Sequence, residues 1–491
     1  MEPFAKKKKL SISGTATNEE QLTDSGSSIH NTSQETKKFN KLNKMVEMEG
    51  AESHEDDLED FEEQDEASDV SRDDELTCSA NDVIRFRLVR NESDIEQQYI
   101  DTNDVEHHHK LMEFHPQFTY QLFGEEEKID GYENLRINFY FTKSLYCWFN
   151  VQYDTKSDDA TDVKSIFAAK ELEFQFSEFS AVPLYFPYTE NLSEFKSKIN
   201  QPNTPKGEQI DVYYRDGKVF EIYKCTMSQI AALHKPWQFL CLFFIEGTSY
   251  IDDQDNLWEF FLVYEKIKDH ENNFEYIPVG FSSIYPFFTL KKEDGVLKDK
   301  RRLRVSQFLI LPPFQRQGHG RKLLLAIYTY AIKGYKEQKS LIGYNALQNV
   351  EEKTYEPREC YEVTVENPGD EFQLMRNKVD VEVCGPIFKA AKRKADEKEG
   401  ETFEEFKARA KPLTKLSDTQ LRKCFEVLWL KHLNDNVNTT QNDRNELKLF
   451  IKKRLYSEYD MEGAFEDHKE RKEKLEELCE GEIDEYKVLL K

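Results

Sequence analysis

The chain has 491 residues, room for roughly two or three domains with cores of their own, and 38% of it is hydrophobic. Its formal net charge of −26 argues against direct nucleic-acid binding, which needs an excess of Lys and Arg, and suits a basic partner, although acidity alone also keeps a protein soluble. The longest apolar run, Phe239–Ile245, is far short of a bilayer span, and the 8 cysteines lack a Cys-x-x-Cys pair or a histidine at metal-ligand spacing; no membrane segment, no metal and a reducing compartment are therefore expected.

Residues 1–79 are rich in Ser, Thr, Asn, Lys and Glu and run into EDDLEDFEEQDEASDVSRDDE (55–75), too charged to bury anything; a disordered acidic N-terminal extension is expected. Lys6–Lys9 within it is a basic run of the kind that serves nuclear import, and the acidic block can engage a basic partner or simply be solvated. Residues 80–204 are expected to form a mixed N-terminal domain, strand-like from DVIRFRLV (82–89) through INFYFTKSLYCWFNVQY (137–153) to a proline-rich connection near 183–187. The next domain is placed at 205–370. It opens with IDVYYRDGKVFEIYKC (210–225), two strands about the hairpin tip Arg215-Asp216-Gly217. WQFLCLFFIEGTSYID (237–252) and WEFFLVYEKIK (258–268) read as a second strand pair, and PVGFSSIYPFFTL (278–290) as a further strand. Residues 371–491 change character: apolar positions recur at helical spacing in LSDTQLRKCFEVLWLKHL (416–433), NELKLFIKKRLYSEY (445–459) and ERKEKLEELCEGEIDEYKVLLK (470–491), predicting a small C-terminal helical domain. The fold class is α/β in its α+β form.

LILPPFQRQGHGRKLL (309–324) carries the chemistry. An apolar strand run stops at Pro312-Pro313, Gly318 and Gly320 leave the chain free to turn, and from Arg321 the apolar residues Leu324, Ile327, Tyr328 and Ala331 recur at helical spacing. Strand, loop and helix in that order put bare N–H groups and a positive dipole end where a phosphate can approach. The run Gly318-His319-Gly320-Arg321-Lys322-Leu323 fits neither a Walker A loop nor a dinucleotide fingerprint. Gln315-Arg316-Gln317-Gly318-His319-Gly320 instead resembles the Arg/Gln-x-x-Gly-x-Gly/Ala pyrophosphate loop of the GNAT acetyltransferases, with an ordinary glycine-rich helix start as the bland alternative.

Five stretches, taken in order, resemble the catalytic subunits of type B histone acetyltransferases: FHPQFTYQLFGEEEKIDGYENL (114–135), FEIYKCTM (220–227), LFFIEGTSYIDDQDNLWEFFLVYEK (242–266), RVSQFLILPPFQRQGHG (304–320) and YEVTVENPGDEF (361–372). The resemblance implies a GNAT core between a mixed N-terminal domain and C-terminal helices. It implies acetyl transfer from acetyl-CoA, without a metal, to lysines in the tail of newly made free histone H4 in company with H3. A WD-repeat histone-binding chaperone as partner, no direct nucleic-acid contact, and work in both nucleus and cytoplasm are implied as well. A GNAT enzyme with another protein or a small amine as acceptor, and a non-catalytic histone-binding module, stay open.

Lysine titrates near pH ~10.4, so roughly one side chain in a thousand is neutral at pH 7 and a base must take its proton. In this fold class the base belongs near the end of the strand that follows the loop's helix. Here that strand is CYEVTVE, ending at Glu366 before Asn367-Pro368-Gly369, and the family's proposed base is the glutamate of VTVENP. Glu246, read at a strand end in FFIEGTSYID, is the second carboxylate the family places near the amine, with a solvent-facing charge as its alternative. Asn367 stands where the family commonly has an acidic residue. The resemblance assigns the backbone of Phe308, Leu309 and Ile310 to the pantetheine arm and thioester oxygen, and Gln315, Arg316, Gln317, Gly318, His319, Gly320 and Arg321 to the phosphates. Peptide contacts fall to Glu125, Glu126 and Glu127 and to Tyr285, Pro286 and Phe287 in the strand ahead of the loop. His319 is read as structural or phosphate-side rather than as a base. Cys360 reads as a buried small hydrophobe rather than an acetyl carrier. The connection KEQKSLIGYNALQNVEEKTYEPRE (336–359) is longer than the family's usual one.

Overall fold

The computed structural model describes residues 76–96, 112–168, 187–268, 273–293, 295–337, 359–390, 401–459, 461–464 and 467–491. Residues 1–75, with the acidic block and the Lys6–Lys9 run, residues 183–186 of the proline-rich connection and 338–358 of the long connection lie outside them. The chain divides into two compact units. The described residues of the smaller one fall within 455–471 and include the short helix Met461–Ala464. Both of the larger sheets belong to the larger unit.

The first sheet has five strands: β1 (Ile84–Leu88), β2 (Glu113–Phe114), β3 (Arg136–Phe141), β4 (Cys147–Gln152) and β5 (Tyr188–Thr189), in the order β2-β1-β3-β4-β5. Aromatic and β-branched residues suit these pleated, buried strands, and Phe86, Phe139 and Phe141 are wholly buried. Cys78 and Ser79, the last residues of the stretch expected as disordered, pair antiparallel with Ile129 and Lys128.

The second sheet has six strands in sequence order: β6 (Glu208–Arg215), β7 (Lys218–Thr226), β8 (Glu259–Lys268), β9 (Phe274–Glu293), β10 (Val296–Ile310) and β11 (Cys360–Val365). All pairs are antiparallel except β10 with β11, which is parallel and so needs a crossover. The helix after the glycine loop, α4 (His319–Glu337), lies on that crossover and buries Leu323, Leu324, Ile327, Tyr328 and Ala331. This is the α+β arrangement expected of a GNAT-like core with flanking regions. Earlier helices are α1 (Tyr120–Phe123), α2 (Leu192–Ile199) and α3 (Met227–Phe244); α5 (Asp370–Cys384), α6 (Phe403–Thr414), α7 (Asp418–Asp435), α8 (Gln441–Glu458) and α9 (His468–Leu489) follow β11.

WQFLCLFF is not a strand. It is the second half of α3, and the strand that pairs with WEFFLVYEKIK is FEIYKCT of β7. A helix that is apolar all round is one buried on more than one side, and a short apolar run does not separate it from a buried strand by periodicity. Here one side of α3 meets the first sheet, with Phe243 and Phe239 at 4.9 Å from Phe86 and 5.1 Å from Phe139 between ring centroids. The other side meets the second sheet through Trp237 and His234, at 4.8 Å from Phe281 and 4.5 Å from Phe260. The helix runs through Pro236, which removes one N–H from its ladder. Among the C-terminal helices, Asp380 of α5 accepts from Tyr328 Oη of α4 at 2.7 Å and from Gln420 Nε2 of α7 at 2.6 Å, which ties them to the back of the loop's helix.

Candidate active site

The site forms where β10 loses one neighbour. β11 pairs with β10 only from Arg301 to Val305, and the N–H of Glu366, one residue past the end of β11, still donates to Val305 O at 2.9 Å. Asn367, at φ 33°, and Pro368, which has no N–H, then lead the chain away. Beyond Val305, β10 turns through a bulge: Ile284 faces Val305 and Ser282 faces Phe308, so Ser306 and Gln307 together oppose the single Ser283. Gln307 N–H donates to Ser283 Oγ at 3.0 Å. A bulge of this kind bends a strand and re-aims the residues beyond it.

The consequence is an open edge. Leu311 N–H donates to Val279 O at 2.9 Å, so by the alternation of an antiparallel ladder Leu309 N–H also faces β9, whereas the N–H groups of Phe308 and Ile310 point to the side that β11 has left. No strand among the described residues pairs with that side. An extended chain of amide groups, such as a pantetheine arm, can bond there as a strand would.

The loop follows directly. Pro312–Phe314 makes one 3-10 turn, and two glutamine side chains fold back to hold it: Gln315 Nε2 donates to Ile310 O at 2.8 Å and Gln317 Nε2 to Pro313 O at 2.9 Å. Gly318 has φ 83°, which a side chain would strain, and α4 begins at His319. A β-carbon on Gly320 would lie 2.9 Å from Met375 Sδ, 3.6 Å from Phe308 and 3.7 Å from Ile310, so this glycine lets the helix start close to the open edge. Arg316 and Arg321 form ion pairs with Glu371 and Glu382 of α5. His319 is buried against Phe220, with Nδ1 2.7 Å from Tyr213 Oη. Burial first, and then the charges of Arg215 and Lys218, push its pKa down to about 4, so it is neutral at physiological pH. The bare glycines, the helix start and the free N–H groups fit a nucleotide thioester such as acetyl-CoA. Among the described residues no cluster of three or more His, Cys, Asp or Glu could hold a metal, and no helix is long and apolar enough to cross a membrane.

Glu366 stands at the mouth of this opening with its side chain 44% exposed. Ser306 Oγ donates to its Oε2 at 2.6 Å, and Arg304 Nη1 lies 3.8 Å from Oε1. Arg304 also sits over the Phe287 ring, 4.5 Å from its centroid. Tyr285 packs 4.9 Å from both Phe287 and Trp258; Pro286 is buried and Phe287 is partly exposed. Glu246 is not at a strand end. It lies exposed in the turn that closes α3, with no ion-pair partner among the described residues.

A line of hydrogen bonds joins the parts. Gln307 Nε2 donates to Ser249 O at 3.0 Å, linking the bulge to the Glu246 turn. From that turn Gly247 N–H donates to Tyr120 Oη at 2.9 Å, while Gln121 Nε2 donates to Thr248 O at 3.1 Å. Tyr120 and Gln121 open α1, and Gly124 and the acidic trio follow it. Glu127 is itself structural, accepting from Tyr120 N–H at 2.9 Å, Asn81 Nδ2 at 2.7 Å and Thr119 N–H. Glu125 and Glu126 face solvent, the latter 2.9 Å from Lys128. Cys360 is fully buried and its thiol is pushed up to about 11, mainly by burial, which leaves it a poor nucleophile.

The sequence reading passed over Ser306, Gln307, Arg304 and Trp258. The polar pair Ser306-Gln307 inside an otherwise apolar strand run was the available sign of a bulge.

Residues 76–246 match the family model described as Histone acetyl transferase HAT1 N-terminus. A histone acetyltransferase type B catalytic subunit of Homo sapiens is 30% identical over 399 residues, covering 78% of this chain and 81% of its own. The corresponding proteins of Cryptococcus neoformans and Candida albicans are 27% identical over 460 residues and 28% identical over 390. These alignments cover 85% and 77% of this chain, and 98% and 85% of theirs.

Proposed function

This chain belongs to the type B histone acetyltransferase catalytic subunits, acetyl-CoA-dependent enzymes, and from that premise we propose that it acetylates the N-terminal tail of free histone H4 with Glu366 as general base. The observation that carries the assignment is the position of Glu366 at the end of β11, where that strand leaves β10 and opens the edge bearing the N–H groups of Phe308 and Ile310.

Bound acetyl-CoA supplies a thioester as acetyl donor. The first turn of α4 and the bare loop from Gln315 to Arg321 receive its phosphates, and the Phe308 and Ile310 N–H groups hold the arm and polarise the carbonyl. Glu366 takes the proton of the incoming lysine, directly or through one water, while Ser306 fixes the carboxylate by its hydrogen bond to Oε2. Arg304 lies beside the other oxygen, its Nη1 3.8 Å from Oε1. Glu246, tied to the same strand through Ser249 and Gln307, is the second carboxylate of the site. Tyr285, Pro286 and Phe287 make the apolar wall for an extended peptide, and Glu125 and Glu126 meet the tail's basic residues, with Glu127 holding their turn in place. The net charge of −26 favours a basic histone over nucleic acid. A WD-repeat histone-binding chaperone as carrier of H3–H4, and work in both cytoplasm and nucleus, complete the proposal.

Glu366→Gln keeps shape and polarity but cannot accept a proton. Turnover of an H4-tail peptide is expected to fall about 10²- to 10⁴-fold with little change in binding of peptide or acetyl-CoA, and to recover in part at high pH where lysine is already neutral. Wild-type turnover and pH profile in this variant, with both lost in Glu246→Gln, would move the base to Glu246.

A further inference from the structure

We propose that Arg215, at the tip of the β6–β7 hairpin, is a further ligand for the pyrophosphate of acetyl-CoA, so that the hairpin and the glycine loop form two sides of one phosphate site. The proposal rests on the reading of the loop given above and adds to it a residue from a distant part of the sheet.

The hairpin's geometry fixes where Arg215 goes. Asp216 and Gly217 have φ 49° and 76°, the two-residue turn that matches the twist of paired strands, and Arg215 and Lys218 are the last opposed pair before it. Two residues earlier on the same face, Tyr213 is anchored to the start of α4 by the contact of its hydroxyl with His319 Nδ1 at 2.7 Å, and Phe220 of β7 packs 4.4 Å from the His319 ring. That anchor brings the next side chain on the face to the loop. Arg215 Nη1 lies 2.8 Å from the position a β-carbon on Gly318 would occupy, so the guanidinium faces the surface that this glycine leaves bare.

The charges nearby make the same point. Three of the other basic residues around the loop have a carboxylate partner, Arg316 with Glu371, Arg321 with Glu382, and Lys218 with Glu265 at 2.9 Å, while Lys322 lies over the Tyr213 ring, 5.5 Å from its centroid. Arg215 is different. Its ion pair among the described residues is the sequence neighbour Asp216, 3.5 Å from Nε, which leaves the Nη edge turned toward the loop; the side chain is 46% exposed. A guanidinium offers a planar set of donors matched to two phosphate oxygens, and the helix start beside it adds N–H groups aimed at the same volume. In a chain of net charge −26, a cation held over a bare glycine turn without a strong internal partner is placed for an anion from outside.

The test compares two donors. S-acetylpantetheine has the thioester and the arm but no pyrophosphate. Arg215→Ala is expected to raise the KM for acetyl-CoA by about 10- to 100-fold, the usual loss for a charge-assisted hydrogen bond, while kcat and the rate with S-acetylpantetheine stay unchanged. Arg215→Lys, which keeps the charge but not the fork, is expected to fall between, and it carries the test if the alanine variant does not fold. An equal loss with both donors would mean that Arg215 only braces the loop, and no loss with either would mean that it touches nothing; both results overturn the proposal. The reading beneath it is checked separately by Gly320→Asp: unaltered acetyl-CoA affinity there removes the phosphate loop itself, whereas weakened affinity there with a normal Arg215→Ala removes only the hairpin's part.

Discussion

His319 shows how far neighbours change what a residue does. In the sequence it is a histidine between two glycines in a phosphate-type loop, tempting as a base but read as structural or phosphate-side; in the fold it is 1% exposed, held by Tyr213 and flanked by Arg215 and Lys218. Burial and those cations depress its pKa to about 4, so protonation is refused by the native state and accepted by the unfolded one at any pH between about 4 and the ordinary value near 6.5. Its share of stability is therefore fully present above pH ~6.5 and lost as pH falls toward about 4, at a slope of up to about 1.4 kcal/mol per pH unit. Buried His234, pushed to about 3 mainly by desolvation, acts with the same sign. His319→Asn removes one of the two titrations, so denaturant-derived stability is expected to decline less steeply between pH 6.5 and 4 than in the wild type. Parallel curves for the two proteins would show that His319 takes its proton in the fold as readily as in the unfolded chain.

Three elements meet at Gly320: the first turn of α4, the open edge of β10 and the Met375 face of α5. Gly320→Asp places a carboxylate among them, against the side chains of Phe308, Ile310 and Met375 and at the start of α4, where it competes with a phosphate for the helix dipole. Affinity for acetyl-CoA, measured by titration calorimetry, is expected to fall by about 1–2 kcal/mol, or roughly five- to thirty-fold; wild-type affinity in a folded variant would place the phosphates elsewhere. That strand, loop and helix were legible because their signs are local: Pro312-Pro313 stops a ladder, glycine permits a positive φ, and apolar residues three and four apart make a helix face. The Asp216-Gly217 tip was legible for the same reason. What failed was α3, whose apolar run carries no period because two sheets cover it, and what went unseen was the bulge at Ser306-Gln307, whose extra residue has meaning only against the partner strand. Arg215 belongs to the second kind. Nothing near it in sequence reports that it lies over Gly318, more than a hundred residues away.

At the scale of the whole molecule, α3 is the element through which the two sheets share a core. Phe239 and Phe243 pack on Phe139 and Phe86 of the first sheet, Trp237 and His234 on Phe281 and Phe260 of the second, and the N–H groups of Gln117 and Phe118 both donate to Phe243 O. The same helix ends at the Glu246 turn, which is bonded to α1 beside the acidic trio on one side and to the β10 bulge on the other. The acidic turn beside α1 and the bulge of β10 keep their relation only if the two sheets fold together, and that makes cooperativity the property to test. Phe243 is fully buried, so Phe243→Ala should cost about 3–5 kcal/mol from lost burial and the cavity left behind. Because the cavity opens in the shared core, the loss is expected to appear as a single denaturant transition moved to lower midpoint, with amides of β3–β4 and of β7–β9 losing protection from hydrogen exchange together. If the first sheet instead unfolds in an earlier, separate step while β7–β9 stay protected, the two sheets hold independent cores and the joint between Glu246 and the bulge is a contact between finished pieces. When the sheets are coupled, Phe243→Ala is expected to raise KM for the H4-tail peptide under conditions where the variant is still folded, because the acidic turn moves relative to Glu366, and to leave the KM for acetyl-CoA, whose proposed contacts lie on β10, α4 and the β6–β7 hairpin, near its wild-type value.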